Sequence, residues 1–325
     1  MRVAVVGAGV MGCATAWALR ERGAEVTVHE QFELDHDRGS SHGRTRIFRV
    51  AYPDSRWVRF AQDAYAGWLQ IDRSLLGLYG LLELVPDPSL TSARALEECG
   101  LRYRLLDGDE ARALGANLPD GWTALHVPDA GVVFADRARH AFLAAAGVEV
   151  ETNRRIESTD ELDADVVVVT AGPWIRDLVP DLPVKVTRET VAYFKREGPP
   201  PPSIVDLDAE TGGHGMYSLH DPVHGLKAGA HHAGAETDPG AEASPEPAIV
   251  ERIASWVGER FPDVDPKPVE AQTCLYTTTA DEEFILERRG RVVVGSACSG
   301  HGFKFAPAVG RRLAELALGR ENPEL

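Results

Sequence analysis

The run RVAVVGAGVMG, residues 2–12, limits what this chain can fold into more than any other stretch. Its valine-rich opening reads as a parallel strand buried on both faces, since it has no polar alternation. Gly7, Gly9 and Gly12 follow at once, and CATAWALRERG continues as a helix with Ala14, Trp17 and Ala18 on one face. Gly23 ends that helix, and AEVTVHE supplies a second strand finishing at Glu30. The order predicts a βαβ unit. Gly7 permits the tight turn, Gly9 lets backbone approach a pyrophosphate, and Gly12 lets helix and strand pack closely. The helix N-terminus, with its free amides and positive dipole end, then holds the phosphates. Glu30 falls about 20 residues further on, where an acidic side chain accepts ribose hydroxyls. NAD and FAD satisfy this pattern equally.

The chain has 325 residues, enough for two lobes with a substantial core. Residues 55–80 carry helical aromatic spacing at Trp57, Phe60, Tyr65 and Trp68, and residues 84–130 are punctuated by prolines. A helix is predicted over Ala135–Ala146, then a strand at GVEVETN and an apolar strand, VVVVTAG, ending at Gly172. Pro199–Pro202 favour an extended connection, amid the strand-forming segments TVAYF, GMYSL and GLKAGA. Helical character returns over Pro247–Phe261, RVVVGSA reads as a strand, and a helix closes the chain near Ala306–Leu318. The fold class expected is therefore α/β, two-lobed: a Rossmann-like dinucleotide domain with a strand-rich substrate domain inserted discontinuously. Residues 1–82, 130–182 and 268–325 form the first, and 83–129 and 183–267 the second.

A net charge of −16 argues against nucleic acid as a partner. Against that background GSSHGRTRIFRVAY, residues 39–52, stands out for three arginines and a histidine. On a helical turn Arg46 and Arg49 would share a face, one serving a cofactor and the other a substrate. Cys13, Cys99, Cys274 and Cys298 show no CxxC pair, and no export signal or bilayer-length apolar run is visible, so a cytoplasmic protein is expected. His214, His220, His224, His231 and His232 raise the thought of a metal. Pro222 breaks the His220–His224 spacing and HExxH is absent, so no metal is expected.

At CLYTTTADEEFIL, SACSGHGFKFAPAVG, HGLKAGAHH and GSSHGRTRIFRVAY, the chain resembles the monomeric sarcosine oxidase and N-methyltryptophan oxidase family, of the D-amino acid oxidase type. The resemblance implies FAD, held by Gly7, Gly9, Gly12, Glu30, Ser40, Ser41, Gly172, Gly300 and Gly302. It implies that Cys274 forms a thioether with the flavin, that Arg49 and Lys304 grip the substrate carboxylate, and that Tyr276 and Tyr217 line the substrate cavity. Lys227 falls to the oxygen reaction beside the flavin, Arg46 to electrostatic support, and His42 and His231 to the active site. The chain is shorter than such proteins, its segment from Lys195 to Tyr217 is proline-rich, and Arg44 stands where a small or acidic residue is expected.

The implied activity is oxidation of the C–N bond of a small secondary or N-methyl α-amino acid to an imine, with oxygen reduced to hydrogen peroxide. The alternatives are a dehydrogenase of a cyclic imino acid with another electron acceptor, or a flavin-binding subunit without chemistry. An NAD enzyme would leave CLYTTT without a role. The expected partners are an amino acid and oxygen, with no membrane, in a monomer or small homo-oligomer.

Overall fold

The computed structural model describes residues 1–207, 215–242 and 244–320. The chain begins with β1 (Arg2–Val6), α1 (Val10–Glu21), β2 (Glu25–His29), β3 (Thr45–Phe48), α2 (Ser55–Asp72), β4 (Leu76–Gly77) and β5 (Leu81–Val85). There follow α3 (Ala93–Glu98), β6 (Arg104–Leu106), α4 (Gly108–Ala113), β7 (Thr123–Val127), β8 (Gly131–Phe134), α5 (Ala135–Ala146), β9 (Val150–Glu151), β10 (Val166–Val169) and α6 (Ile175–Leu178). The last part holds β11 (Lys185–Lys195), β12 (Ser203–Asp206), β13 (Met216–Asp221), β14 (Gly225–Ala230), α7 (Pro247–Arg260), β15 (Glu270–Thr278), β16 (Ile285–Arg289), β17 (Val292–Ser296) and α8 (Ala306–Ala317).

Two large sheets organise these elements. A six-stranded sheet runs β16-β17-β10-β1-β2-β9, with β1 parallel to both β2 and β10. Along β1, Val3 and Val5 join the core beneath α1, α5 and α8, whereas Ala4 and Val6 join a second core with Val167, Val169 and Ile175. Both faces are covered, which is why the strand carries no polar alternation. Helix α1 is buried around most of its circumference, not on the single face that Ala14, Trp17 and Ala18 suggest, because α5 and α8 also pack on it.

The second sheet has eight strands in the order β15-β11-β14-β13-β12-β5-β7-β6. The pleat sorts its side chains. Leu226, Ala228 and Ala230 of β14 enter the core under α7, so Lys227, one residue out of phase, stands on the opposite face. Strand β15 belongs to this sheet through β11, and Leu81 and Leu82 enter it through β5, although both lie on the other side of the boundaries drawn from sequence at 82/83 and 267/268. Hydrogen bonding to a distant strand, which local pattern cannot show, decides this.

Two local readings change. Residues 45–48 are strand, paired antiparallel with β8, so Arg46 and Arg49 do not share a helical turn. Helix α2 stops at Asp72, where Asp72 caps a short 3-10 turn that leads into β4, so the helical reading to residue 80 is too long.

Candidate active site

A cavity of about 480 Å³ lies between the two sheets. At one end stands the turn after β1. Gly7 has φ of +100°, and a Cβ at Gly12 would lie 1.9 Å from the Gly7 carbonyl oxygen. Only glycine serves at either place. Gly7 and Gly9 line the cavity, while Gly12 sits behind them and sets the packing. Helix α1 opens at Gly9 with no side-chain cap and no acidic residue in its first turn. The Val10 amide donates to Ser41 Oγ at 3.0 Å, tying the 39–44 loop to this end. Glu30, buried, accepts the Ala8 amide at 2.9 Å and the Phe32 amide at 3.1 Å, and its carboxylate keeps further lone pairs for a ligand hydroxyl. The glycine cradle, a helix start without acidic side chains and a buried carboxylate at the cavity wall fit a dinucleotide.

The opposite end is strongly cationic. Arg46, Arg49, Lys227 and Lys304 all line it. Arg46 is held by backbone carbonyls, donating to Thr45 O at 2.9 Å, Ser40 O at 2.9 Å and His42 O at 2.6 Å. Lys304 is buried and donates to His301 O at 2.5 Å, and the carbonyl of Lys304 itself accepts Trp68 Nε1 at 2.7 Å. Thus α2 fixes the turn that carries the lysine. Tyr52 lies under both cations, 4.3 Å from the Arg49 guanidinium carbon and 5.7 Å from Lys304 Nζ. Burial alone raises its phenol, but Lys304 and Arg49 outweigh that and bring it below its ordinary value. Neither Arg49 nor Lys304 has an ion-pair partner among the described residues. A buried ammonium and a half-buried guanidinium without carboxylates make a receptor for an anion.

Lys227 is buried, with Nζ 3.5 Å from Thr45 O and 5.7 Å from the Tyr193 ring centre. Burial, and then Arg46, lower its amine to about 7, while Cys274 and Asp221 pull the other way. His42 falls to about 3 through burial and the charges of Arg46 and Lys227. Its Nε2 is buried without a hydrogen-bond partner among the described residues. His231 is lowered far more than an exposed imidazole by burial and by His232, Arg49, His301 and Lys304. Both rings are neutral at neutral pH.

Cys274 lies on β15 in the same cavity, its thiol raised by burial and eased downward by Arg46 and Lys227. Two residues on, the Tyr276 hydroxyl stands 3.4 Å from His231 Nδ1. Gly300, with φ of +72°, leaves room for that contact, since a Cβ there would fall 2.5 Å from both His231 and Tyr276 atoms. Gly229 does the same for Tyr217, whose hydroxyl would meet a Cβ at 2.5 Å. Ser40, Gly172 and Gly302 also reach the wall, and Ser40 Oγ donates to Leu275 O at 2.5 Å.

Apart from Gly12, the residues named from sequence for cofactor, substrate and chemistry therefore all line this one cavity. Arg44 does not. It turns away to pair with Asp221 and Glu270, so it adds no free charge beside the cavity. Of the histidines weighed for a metal, His214 lies outside the described residues, and His220 and His224 hydrogen-bond Gly225 O and Glu270. His231 and His232, with Glu282, bring three possible ligand atoms within 4.8 Å of one another, a grouping invisible in sequence because Glu282 is distant along the chain. Sequence reading also missed Tyr52, Arg154 and Arg155, all at or beside this cavity. Tyr52 stands within the quoted arginine-rich stretch, and TNRR directly follows β9, where Arg154 pairs with Glu151 and Arg155 with Asp177.

Residues 2–316 match the family model described as FAD dependent oxidoreductase, and the chain belongs to that family. It is 31% identical to human peroxisomal sarcosine oxidase over 97% of this chain and 91% of that protein. It is 29% identical to monomeric sarcosine oxidase from Bacillus sp. (strain B-0618), covering 97% and 92%. In fold it is similar to L-proline dehydrogenase from P. horikoshii, with TM-score 0.84 at 19% identity, covering 98% of this chain and 94% of that one. It is also similar in fold to NikD, described as an unusual amino acid oxidase essential for nikkomycin biosynthesis, with TM-score 0.82 at 24% identity and coverage of 97% and 93%.

Proposed function

We propose that this FAD-dependent oxidoreductase oxidises the C–N bond of a small secondary or N-methyl α-amino acid to an imine, and that oxygen is reduced to hydrogen peroxide. The carrying observation is the cation pair of half-buried Arg49 and buried Lys304, with no carboxylate partner among the described residues, on the wall that also holds Cys274 and Lys227. Relatives named sarcosine oxidase support the same substrate class.

When bound, FAD supplies the two-electron oxidant for the substrate carbon and passes the electrons to oxygen. The protein's part is binding, orientation and potential. Arg49 offers a planar fork and Lys304 a point charge, so a carboxylate is held at fixed angle as well as fixed distance. Tyr52 stiffens both. The cationic wall disfavours an ammonium beside it, so the substrate amine is bound in the neutral form that can react. Tyr217, Tyr276 and Met216 offer an apolar side to a small substituent. Lys227, when protonated, would offer positive charge to the oxygen-reducing side of the bound cofactor. Cys274 is the attachment point for the flavin, and Arg46 and Lys227 favour its thiolate. Gly7, Gly9, Glu30, Ser40, Ser41, Gly172, Gly300 and Gly302 hold the cofactor, with Gly12 behind them. The reading includes a cytoplasmic setting, with none of Cys13, Cys99, Cys274 and Cys298 in a disulfide. It also includes a discontinuous dinucleotide domain of residues 1–82, 130–182 and 268–325, with 83–129 and 183–267 as the substrate domain.

The test is anaerobic mixing of the flavin-loaded protein with sarcosine and other N-methyl amino acids. Bleaching of the flavin, and one peroxide formed per turnover in air, is the expected result. Turnover only with an added dye, without peroxide, would replace the oxidase by a dehydrogenase, and no bleaching by any candidate would remove the activity.

A further inference from the structure

One rung of the eight-stranded sheet sets Glu270, Tyr193, Lys227 and Leu219 side by side on β15, β11, β14 and β13. Residues directly opposite in register share a face. Asp221, two residues beyond Leu219, stands on that same face. Arg44 comes down on this rung from the loop that also carries Ser40, Ser41 and His42. Its guanidinium carbon lies 4.5 Å from the Tyr193 ring centre. Its Nε is 2.7 Å from Asp221 Oδ1 and its Nη2 is 3.0 Å from Glu270 Oε2.

The carboxylates are built in. Asp221 is fully buried, and its second oxygen accepts the Val223 amide at 3.1 Å and the His224 amide at 2.8 Å. Glu270 also meets His224 Nε2 at 2.8 Å and Gln272 Nε2 at 2.5 Å. Gln272 in turn accepts the Tyr193 hydroxyl at 2.9 Å. Lys227, with Nζ 5.7 Å from the Tyr193 ring centre, has no ion pair among the described residues.

We propose that Arg44 is a positioning residue for Lys227: it takes up the charges of Asp221 and Glu270 and pins Tyr193 beside the amine, so that Lys227 is left without a carboxylate partner. The charged and titratable groups facing Lys227 are Arg46 from β3, His42 and Arg44 from the loop, Cys274 from β15, Asp221 from β13 and Tyr193 from β11. Of these only Asp221 is a carboxylate, and it is already engaged by Arg44. Without the guanidinium, a wholly buried carboxylate is left facing the lysine on its own sheet face, and the ammonium form is stabilised to higher pH. The consequence for the oxygen step rests on the oxidase reading above; the charge state of the amine does not.

The deciding experiment uses the flavin-free full chain. Trace acetylation by acetic anhydride, followed by mass spectrometry of the Lys227 peptide across about pH 5 to 11, reads the protonation of that one amine. The wild-type midpoint is expected near 7. Arg44→Met should raise it by about one unit or more, and Arg44→Met with Asp221→Asn should bring it back. Asp221→Asn alone, which leaves Arg44 in place, should lower it, and decides the matter if Arg44→Met does not fold. A midpoint unmoved in either variant overturns the proposal. In the loaded enzyme the pH profile of flavin reoxidation should move by the same amount as the labelling midpoint, and movement of the labelling midpoint alone would sink the oxygen step and leave the positioning role standing.

Discussion

Lys304 is buried and Arg49 half-buried, both facing the cavity without a carboxylate partner among the described residues, and this makes the cost of losing one of them large. Truncating one partner of a buried charge-assisted contact costs about 2–5 kcal/mol, which corresponds to roughly 30- to 5,000-fold in binding. Arg49→Ala should therefore raise the substrate KM by about two orders of magnitude, measured in steady-state turnover; an unchanged KM removes Arg49 from the clamp. Lys227 gives a second prediction at the same scale, in the flavin-free protein. Its amine titrates near 7 when folded and near 10.5 when free. Between these values the unfolded chain binds the extra proton, so stability rises with pH through that window, is full above 10.5 and is lost as pH falls toward 7. The contribution is at most about 1.4 kcal/mol per pH unit. Urea midpoints should climb from pH 7 to 9 in the wild type and climb less in Lys227→Met; parallel slopes would show that Lys227 is not held neutral. These side chains were legible because their motifs are local. Tyr52 was not marked, since its position under two cations depends on Lys304, which arrives from the other end of the chain.

Helices were read more surely than strand pairings. The limits Ala135–Ala146 follow directly from an apolar stripe and the glycine that stops it, and α7 and α8 end within a residue of their expected places. Strand β3 was misread as a turn of helix because i, i+3 spacing of two arginines carries no information on pairing, and the pairing partner β8 lies far along the chain. Helix packing brings its own test. Where α8 crosses α1, a Cβ on Gly310 would fall 2.5 Å from the backbone of Ala14. No flexible side chain can yield there, so the helices must part. Gly310→Ala should cost about 1–3 kcal/mol, read as a lower urea midpoint. Unchanged stability would mean that the two helices can separate without loss.

At the scale of the whole molecule the cavity is a seam. Gly7 and Glu30 come from the six-stranded sheet, Lys227 and Cys274 from the eight-stranded one, and the 39–44 loop joins them through Ser41, Ser40 and Arg44. Sequence could show that both chain ends carry cofactor motifs and that a strand-rich segment lies between them. It could not show the partners Asp221 and Glu270 that dock the loop, because ion pairs across lobes leave no periodic trace. A ligand lying along this seam bonds to both sheets at once, so it should stabilise them together. For a reversible ligand the gain follows its concentration, about 2.7 kcal/mol at a hundredfold excess over Kd. For a covalently attached one it does not. Cys274→Ser should therefore bind FAD that is released by acid, and its melting temperature should rise with each increment of added FAD. The loaded wild type should melt at one temperature whatever free FAD is present. A wild-type protein that also loses its flavin in acid and gains stability with added FAD would show that Cys274 forms no bond to the cofactor.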